Sequence, residues 1–306
     1  MAVSAGVGQV TPRKMNQQDS DSLRKFAYDS LGHSIVFEDF SRIYGRKTIT
    51  WRITVPGKSD YYLKRHEHRS HYLAEVRALE EWTQCLPDKL WWFVPKVLTT
   101  EDELGAVIIT SLPGLILEET RVESSFRTKL FQLAGRFAEL LHSSRIDLSS
   151  ESASQTYTDE TLDRYLLVAE PHIDSATLKW IDSVVRRSDA WEGLAIVPTH
   201  CDFSPRNWLF REGKALLGII DWERSRPGYF VEDFQRMIQD HWLLEPQLKD
   251  AFFAGYGREP SELEWRQANQ VVLINAVTGV PWSISHGDSE FEQRNREVIE
   301  RLKSVL

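Results

Sequence analysis

The stretch HCDFSPRN at positions 200–207, followed by IIDWE at 219–223, contains the residues from which the chemistry of this chain is predicted. Its polar residues form the pattern H-x-D-x-x-x-x-N, with a further aspartate, Asp221, fourteen residues after Asn207. Kinase-type phosphoryl transfer places an aspartate and an asparagine on one loop and a second carboxylate at the end of a nearby strand. The stretch therefore predicts a phosphoryl-transfer site.

Each polar residue of this stretch has a role that its chemistry suits. Asp202 can accept the proton of a hydroxyl group or orient that group, while Asn207 and Asp221 offer the oxygen ligands that Mg²⁺ prefers. His200 is predicted to hold the loop backbone by hydrogen bonds, and Cys201 to be a buried, inert thiol. The apolar runs 208–210 and 216–220 around the turn 212–214 predict a hairpin that sets the distance between Asn207 and Asp221.

Upstream, alternating apolar and polar residues predict an antiparallel sheet with strands at 35–44, 47–55 and 61–65. The third strand carries Lys64, and a helix predicted over 70–86 carries Glu75, eleven residues later. In a kinase-type fold a strand lysine grips the nucleotide phosphates and a helix glutamate fixes that lysine by an ion pair. Lys64 and Glu75 are the candidates for this pair.

Two further segments are candidates for nucleotide contact. The connection 41–47 contains only one glycine, Gly45, so it is either a phosphate-covering loop or an ordinary hairpin tip. Strands at 96–100 and 106–110 run into Ser-Leu-Pro-Gly at 111–114, which is typical of a linker between lobes. The backbone from Thr110 to Leu112 would then meet the adenine base.

Beyond this linker the apolar spacing becomes mostly helical. The predicted fold class is α+β, with a small N-terminal antiparallel sheet lobe and a larger, mostly helical C-terminal lobe. The predicted divisions are a disordered leader at 1–18, a nucleotide-binding lobe at 19–112 and a catalytic and substrate-binding lobe at 113–306. Helices are predicted at 19–31, 126–144, 159–169, 176–188, 232–243, 246–256, 262–282 and 290–306.

Composition limits the classes of function. The 306 residues carry a net charge of −8, which disfavours a general nucleic-acid binder, and no apolar run approaches the length of a membrane span. Two cysteines are too few for a disulfide scaffold, so a cytoplasmic location is expected. Residues 113–306 hold 22 basic and 31 acidic side chains, a net −9, which indicates either a solvated acidic surface or a cation-attracting cleft.

The stretch 198–237 resembles the aminoglycoside phosphotransferase and choline kinase family, which shares the protein-kinase-like fold. The matching residues are HCDFSPRN, IIDWE and VEDF at 231–234. The resemblance implies a bilobal fold in which Asp202 is catalytic, Asn207 and Asp221 bind Mg²⁺, Lys64 and Glu75 form the phosphate-binding pair, and Asp233 braces the catalytic loop. The chain departs from the family pattern at Cys201, where glycine is usual, and in its sparse glycine loop.

The expected function is an ATP- and Mg²⁺-dependent kinase of a small-molecule hydroxyl, with GTP as an alternative donor and an antibiotic or other natural product as one class of acceptor. A primary-metabolite kinase acting on choline, ethanolamine, a sugar or an amino-alcohol is the alternative, and a nucleotide-binding pseudokinase is a third interpretation. No nucleic-acid or membrane partner is expected. Polar residues of the later helices are candidates for acceptor contact, foremost Glu223, Asp240 and His241.

One histidine-rich segment, HEHRSH at 66–71, has no standard spacing for a zinc site. The sequence favours a solvated loop and helix start for it.

Overall fold

The computed structural model describes residues 17–41, 48–87, 91–146, 148, 157–187 and 190–306. Within it the chain forms two compact units, Met1–Val76 with Lys96–Ser111 and Arg77–Pro95 with Leu112–Leu306. Most of the expected leader, residues 1–16, lies outside the described residues. The predicted lobe boundary after residue 112 stays a prediction.

Eleven strands are found in the described part of the chain. They are β1 Val36–Asp39, β2 Ile49–Thr54, β3 Tyr61–Arg65, β4 Trp92–Phe93, β5 Val97–Glu101, β6 Ala106–Thr110, β7 Leu115–Ile116, β8 Ile196–Thr199, β9 Trp208–Arg211, β10 Lys214–Ile219 and β11 Arg226–Tyr229.

The α-helices of the described residues lie mainly in the second unit. They are α1 Gln17–Leu31, α2 Arg69–Arg77, α3 Ser124–His142, α4 Asp159–Ala169, α5 Ser175–Val185, α6 Gln235–Met237, α7 Pro246–Tyr256, α8 Glu262–His286 and α9 Ser289–Leu302.

Two predicted helices are not single α-helices. The segment after α2 continues as a π-helical turn, Ala78–Trp82, and a 3₁₀ turn, Thr83–Cys85. The prediction for 232–243 becomes a 3₁₀ turn at Phe230–Phe234, the short α6 and a π-helical turn at Ile238–Trp242. Apolar spacing does not distinguish these hydrogen-bond patterns, since i→i+3, i→i+4 and i→i+5 turns bury similar faces over one turn.

The first unit is a five-stranded antiparallel sheet in the order β1-β2-β3-β6-β5, with α1 packed against one face. Trp51, Leu63 and Ile108 are paired across adjacent strands and are buried with Leu23 of α1. Because side chains alternate along a strand, Lys64 points to the face opposite Leu63. This alternation is what takes the lysine out of the apolar core and towards α2.

The second unit has a four-stranded sheet, β4-β10-β9-β7, and a two-stranded sheet, β11-β8. Its helices α3 and α7 touch at their backbones. A Cβ atom added to Gly135 would lie 1.9 Å from the carbonyl oxygen of Phe252, and one added to Gly255 would lie 1.8 Å from that of Gln132. Glycine at both positions therefore permits a helix contact that any side chain would block.

Where the chain is described, none of its helices combines the length and the apolar character required to cross a lipid bilayer.

Candidate active site

The loop that follows β8 carries Asp202 in a strained backbone. The Asp202 side chain is 2% exposed. Among the described residues other than glycine, only Cys201 and Asp221 adopt positive φ, 58° and 68°. Left-handed backbone costs a non-glycine residue about 1–2 kcal/mol, and such strain collects at functional sites. Both strained residues belong to the stretch that the sequence singled out.

Asp233 supports this loop through its backbone amides. Its Oδ2 accepts a hydrogen bond from the His200 N–H at 3.0 Å, and its Oδ1 accepts one from the Cys201 N–H at 2.6 Å. His142 of α3 contacts the same carboxylate, with Nε2 3.0 Å from Oδ2, and its Nδ1 lies 3.1 Å from the Tyr256 hydroxyl. The predicted bracing role of Asp233 stays a prediction, and this geometry is what it requires.

A second set of hydrogen bonds ties the loop to the end of β10. The His200 Nε2 donates to the carbonyl oxygen of Ile220 at 3.0 Å, and the Ile220 N–H donates to the carbonyl oxygen of Asn207 at 3.0 Å. The Asn207 side-chain nitrogen donates to the carbonyl oxygen of Asp202 at 2.8 Å. Because that nitrogen is committed, the amide oxygen is the atom that can ligate a cation.

Asp221 follows directly after Ile220. Its carboxylate is near enough to Asp202 to act on that side chain's ionisation. No cluster of three or more histidine, cysteine, aspartate or glutamate side chains suited to a metal occurs among the described residues. One amide and one carboxylate nevertheless fit Mg²⁺, which usually keeps several waters and takes few protein ligands.

Arginine side chains surround Asp202. Arg206 forms an ion pair with its Oδ1, and the Arg236 Nε lies 3.9 Å from the same oxygen. Burial alone would raise the pKa of Asp202, but Arg206, Arg224 and Arg236 together outweigh it and hold that pKa below its ordinary value. Asp202 is therefore ionised at neutral pH. No described residue forms a hydrogen bond to its Oδ2, which leaves that oxygen for a substrate hydroxyl.

In the first unit, Lys64 and Glu75 are joined as an ion pair. The Lys64 Nζ lies 2.7 Å from the Glu75 Oε1, and both residues are buried. His66 lies on the other side of the glutamate, with Nε2 2.9 Å from Oε2. The expectation of a solvated HEHRSH segment is wrong for His66, which is 3% exposed, because the residue directly follows β3 and packs inward beside α2.

Three further residues, Gly45, Thr110 and Leu112, are predicted to contact the nucleotide. Gly45 lies outside the described residues. Thr110 ends β6 and its N–H donates to the carbonyl oxygen of Lys96 at 2.9 Å, while Leu112 begins the second unit's long segment. Their contact with a base stays a prediction.

The three acceptor candidates occupy different surroundings. Asp240 lies 3.8 Å from Arg294, and burial raises its pKa. His241 is buried, with Nε2 3.6 Å from a Glu118 carboxylate oxygen, and Glu223 is half-buried. Their roles in binding an acceptor stay predictions.

Sequence reasoning did not single out His142, Arg206, Arg224 or Arg236. Arg206 lies inside the HCDFSPRN motif, but its ion pair with Asp202 could not be predicted from the sequence. His142 is 91 residues from Asp233, and nothing local to α3 indicates that contact.

The sequence of this chain matches one family of known proteins. A sequence profile described as the phosphotransferase enzyme family, APH, matches residues 45–268, which is 224 of the 306 residues. No curated protein matches this sequence.

Solved structures match over nearly the whole chain. The GDP and kanamycin complex of APH(2")-IIIa has 15% identity and a TM-score of 0.69, covering 92% of this chain and 98% of that one. The streptomycin-ATP-APH(2")-IIa ternary complex has 17% identity and a TM-score of 0.64, covering 94% and 99%. The macrolide 2'-phosphotransferase MphH from Brachybacterium faecium has 15% identity and a TM-score of 0.62, covering 92% and 98%. These likenesses confirm the predicted protein-kinase-like fold class.

Proposed function

The chain belongs to the phosphotransferase enzyme family, as the stretch 198–237 indicated, and on that premise we propose that it transfers the γ-phosphoryl group of ATP to a hydroxyl group of a small molecule. The observation that carries the proposal is the state of Asp202. The carboxylate is buried and ionised, one oxygen is engaged by Arg206, and the other has no hydrogen-bond partner among the described residues. This is the state that a hydroxyl-orienting group requires.

The reaction replaces one P–O bond by another. The acceptor oxygen forms a bond to the γ-phosphorus, the bond from that phosphorus to the β,γ-bridging oxygen breaks, and ADP leaves. The hydroxyl proton passes to Asp202 and then to solvent. Because the pKa of Asp202 is lowered, this carboxylate is a weak base, which suits a loose transition state in which the proton leaves late.

Asn207 and Asp221 are the residues that would hold Mg²⁺. When bound, the ion neutralises charge on the phosphate oxygens. Lys64, kept in place by Glu75, supplies a further positive charge that we assign to the α- and β-phosphates.

The acceptor is proposed to be a natural product. The solved structures similar to this chain include a complex with kanamycin, a complex with streptomycin and a macrolide phosphotransferase. A panel of such antibiotics and of primary metabolites, including choline, ethanolamine and simple sugars, separates this acceptor class from a primary-metabolite role. GTP in place of ATP tests the donor.

Asp202→Asn tests the proposal directly. We expect turnover to fall at least about 100-fold with nucleotide affinity nearly unchanged, since general acid–base groups contribute about 10²–10⁴ in rate. Asp221→Ala should instead abolish Mg²⁺-dependent nucleotide binding, measured by titration calorimetry with and without the metal. The matched control is Glu212→Gln, which changes an exposed carboxylate in the β9–β10 turn. Wild-type turnover by Asp202→Asn would reject the assigned role.

A further inference from the structure

A small cavity adjoins the loop that carries Asp202. It has a volume of about 100 Å³ and is bounded by Cys201 of the loop, Arg224 after β10, Tyr165 of α4, and Asn275 and Thr278 of α8. Sites for drug-sized ligands usually measure about 300–1,000 Å³. The cavity therefore suits a small molecule, or one small group of a larger molecule, better than a multi-ring sugar.

Arg224 is the wall residue whose charge is not matched by a bonded partner. Arg226, also on the wall, forms an ion pair with the buried Glu232. Arg224 forms no hydrogen bond or ion pair with any residue in the described part of the chain, and it is exposed. Its planar guanidinium presents paired N–H donors that match the two oxygens of a carboxylate.

The α8 side of the cavity offers the polar side chains of Asn275 and Thr278. The Asn275 amide nitrogen donates to the carbonyl oxygen of Val271 at 2.9 Å, and the Thr278 hydroxyl donates to that of Ile274 at 3.1 Å. The Asn275 side-chain oxygen, its second N–H and the Thr278 side-chain oxygen remain to form hydrogen bonds with hydroxyl groups. The wall thus combines a cation for an anionic group with polar groups for alcohols.

The surroundings of Asp202 hold three arginines that a polycationic acceptor would have to approach. Arg206 and Arg236 contact or approach its carboxylate, and Arg224 acts on it electrostatically. An ammonium group brought to the same place would meet these three guanidinium charges as well as the carboxylates of Asp202 and Asp221. Of the charged residues that bound the cavity itself, Arg224 and Arg226 are cationic and Glu232 is anionic.

We propose that this cavity is the acceptor subsite and that it takes a small hydroxyl compound bearing a carboxylate, which Arg224 binds. The inference rests on the proposed kinase function, and among hydroxyl-bearing acceptors it favours an acidic compound over a polycationic aminoglycoside. It identifies Arg224, rather than an acidic side chain, as the residue that selects the acceptor.

The test compares acceptors that differ only in charge. Hydroxy acids are assayed beside the corresponding amides and amines, for example glycerate, glyceramide and 3-aminopropane-1,2-diol, with kanamycin added to the panel. ADP release with ATP and Mg²⁺ is measured, and so is the melting temperature with a non-hydrolysable ATP analogue. We expect ADP release and thermal stabilisation with one or more acids and neither with their amines.

Arg224→Gln should raise the KM of the responding acid about ten- to a hundredfold, the effect of losing one charge-assisted hydrogen-bonded pair. The KM of ATP should not change. Arg224→Lys should recover part of the loss, and Arg224→Glu should remove the preference for the acid. Arg211→Gln, at an exposed position of β9, is the control and should match the wild type.

Preferential phosphorylation of an amine or of kanamycin, no response to any acid, or an unchanged acid KM in Arg224→Gln would overturn the inference. Transfer to a cationic acceptor would still leave the kinase function standing. Failure to bind nucleotide at all, in contrast, would count against the function itself.

Discussion

Replacing Asp233 by asparagine tests whether one buried carboxylate supports the catalytic loop. Asp233 accepts hydrogen bonds from the backbone N–H groups of His200 and Cys201 and contacts His142. Asparagine keeps one oxygen but places an NH₂ group where the other oxygen was. One backbone N–H then loses its acceptor in a buried site, and the remaining bonds lose their charge assistance.

The magnitude follows from these hydrogen bonds. Hydrogen bonds to a charged group contribute about 1.5–3 kcal/mol, against about 0.5–1.5 kcal/mol for neutral ones. Losing one bond and weakening the other two should lower the free energy of unfolding by about 3 kcal/mol. At about 2–4 °C per kcal/mol, the melting temperature should fall by about 6–12 °C.

The assay combines thermal unfolding with kinetics at a temperature well below the variant's melting point. We expect kcat to fall at least about tenfold, because the position of Asp202 depends on the Cys201 backbone, while the KM of ATP stays near the wild-type value. Asp250→Asn, an exposed carboxylate on α7, is the matched control. An Asp233→Asn protein with wild-type melting temperature and kcat would show that the loop does not depend on this carboxylate.

Three further predictions concern charge and burial. Arg206→Met removes a cation that lowers the pKa of Asp202, so that pKa should rise and the acidic limb of the kcat/KM profile should move to higher pH. Burial raises the pKa of the Cys201 thiol to about 12, so iodoacetamide at pH 8 should label only the exposed Cys85 of the native protein, as counted by mass spectrometry. Glu75→Gln should raise the KM of ATP in steady-state assays, because the neutral amide no longer fixes Lys64 by charge.

These three experiments have simple controls. Glu80→Gln and Arg211→Gln change exposed side chains and should leave the KM of ATP and the pH profile as in the wild type. For the thiols, denaturant should make both cysteines reactive. Labelling of both at equal rates in the native protein, an unmoved acidic limb in Arg206→Met, or an unchanged KM in Glu75→Gln would each contradict the corresponding argument.

Local patterns predicted several elements to the residue. The strands at 61–65 and 106–110 and the helices at 159–169 and 246–256 have the predicted bounds. Each combines a clear period of apolar residues with a local boundary signal, such as the Thr158 cap of α4 or Pro246 at the start of α7. Where an element end has no such signal, its predicted position was less accurate. The last helix was expected to reach 306 but ends at Leu302, and β1 ends at Asp39.

Pairings between distant segments were not predictable in the same way. Trp92–Phe93 forms a parallel pair with Leu217–Gly218 in the second unit. A two-residue strand has no measurable period, and its partner lies more than a hundred residues away. Only the folded chain determines such a contact.

The sequence by itself determined which residues are candidates for phosphoryl transfer, because the spacing of Asp202, Asn207 and Asp221 on one loop and one hairpin is local. It also determined the Lys64–Glu75 pair, since a strand and the helix that follows it are close in the chain. The tertiary structure decided the electrostatics of Asp202. Arg236 comes from α6, 34 residues beyond Asp202, and the cavity wall joins Arg224 to Asn275 of α8. Charge acts through space, so a net count of −9 over residues 113–306 did not reveal that arginines gather around Asp202.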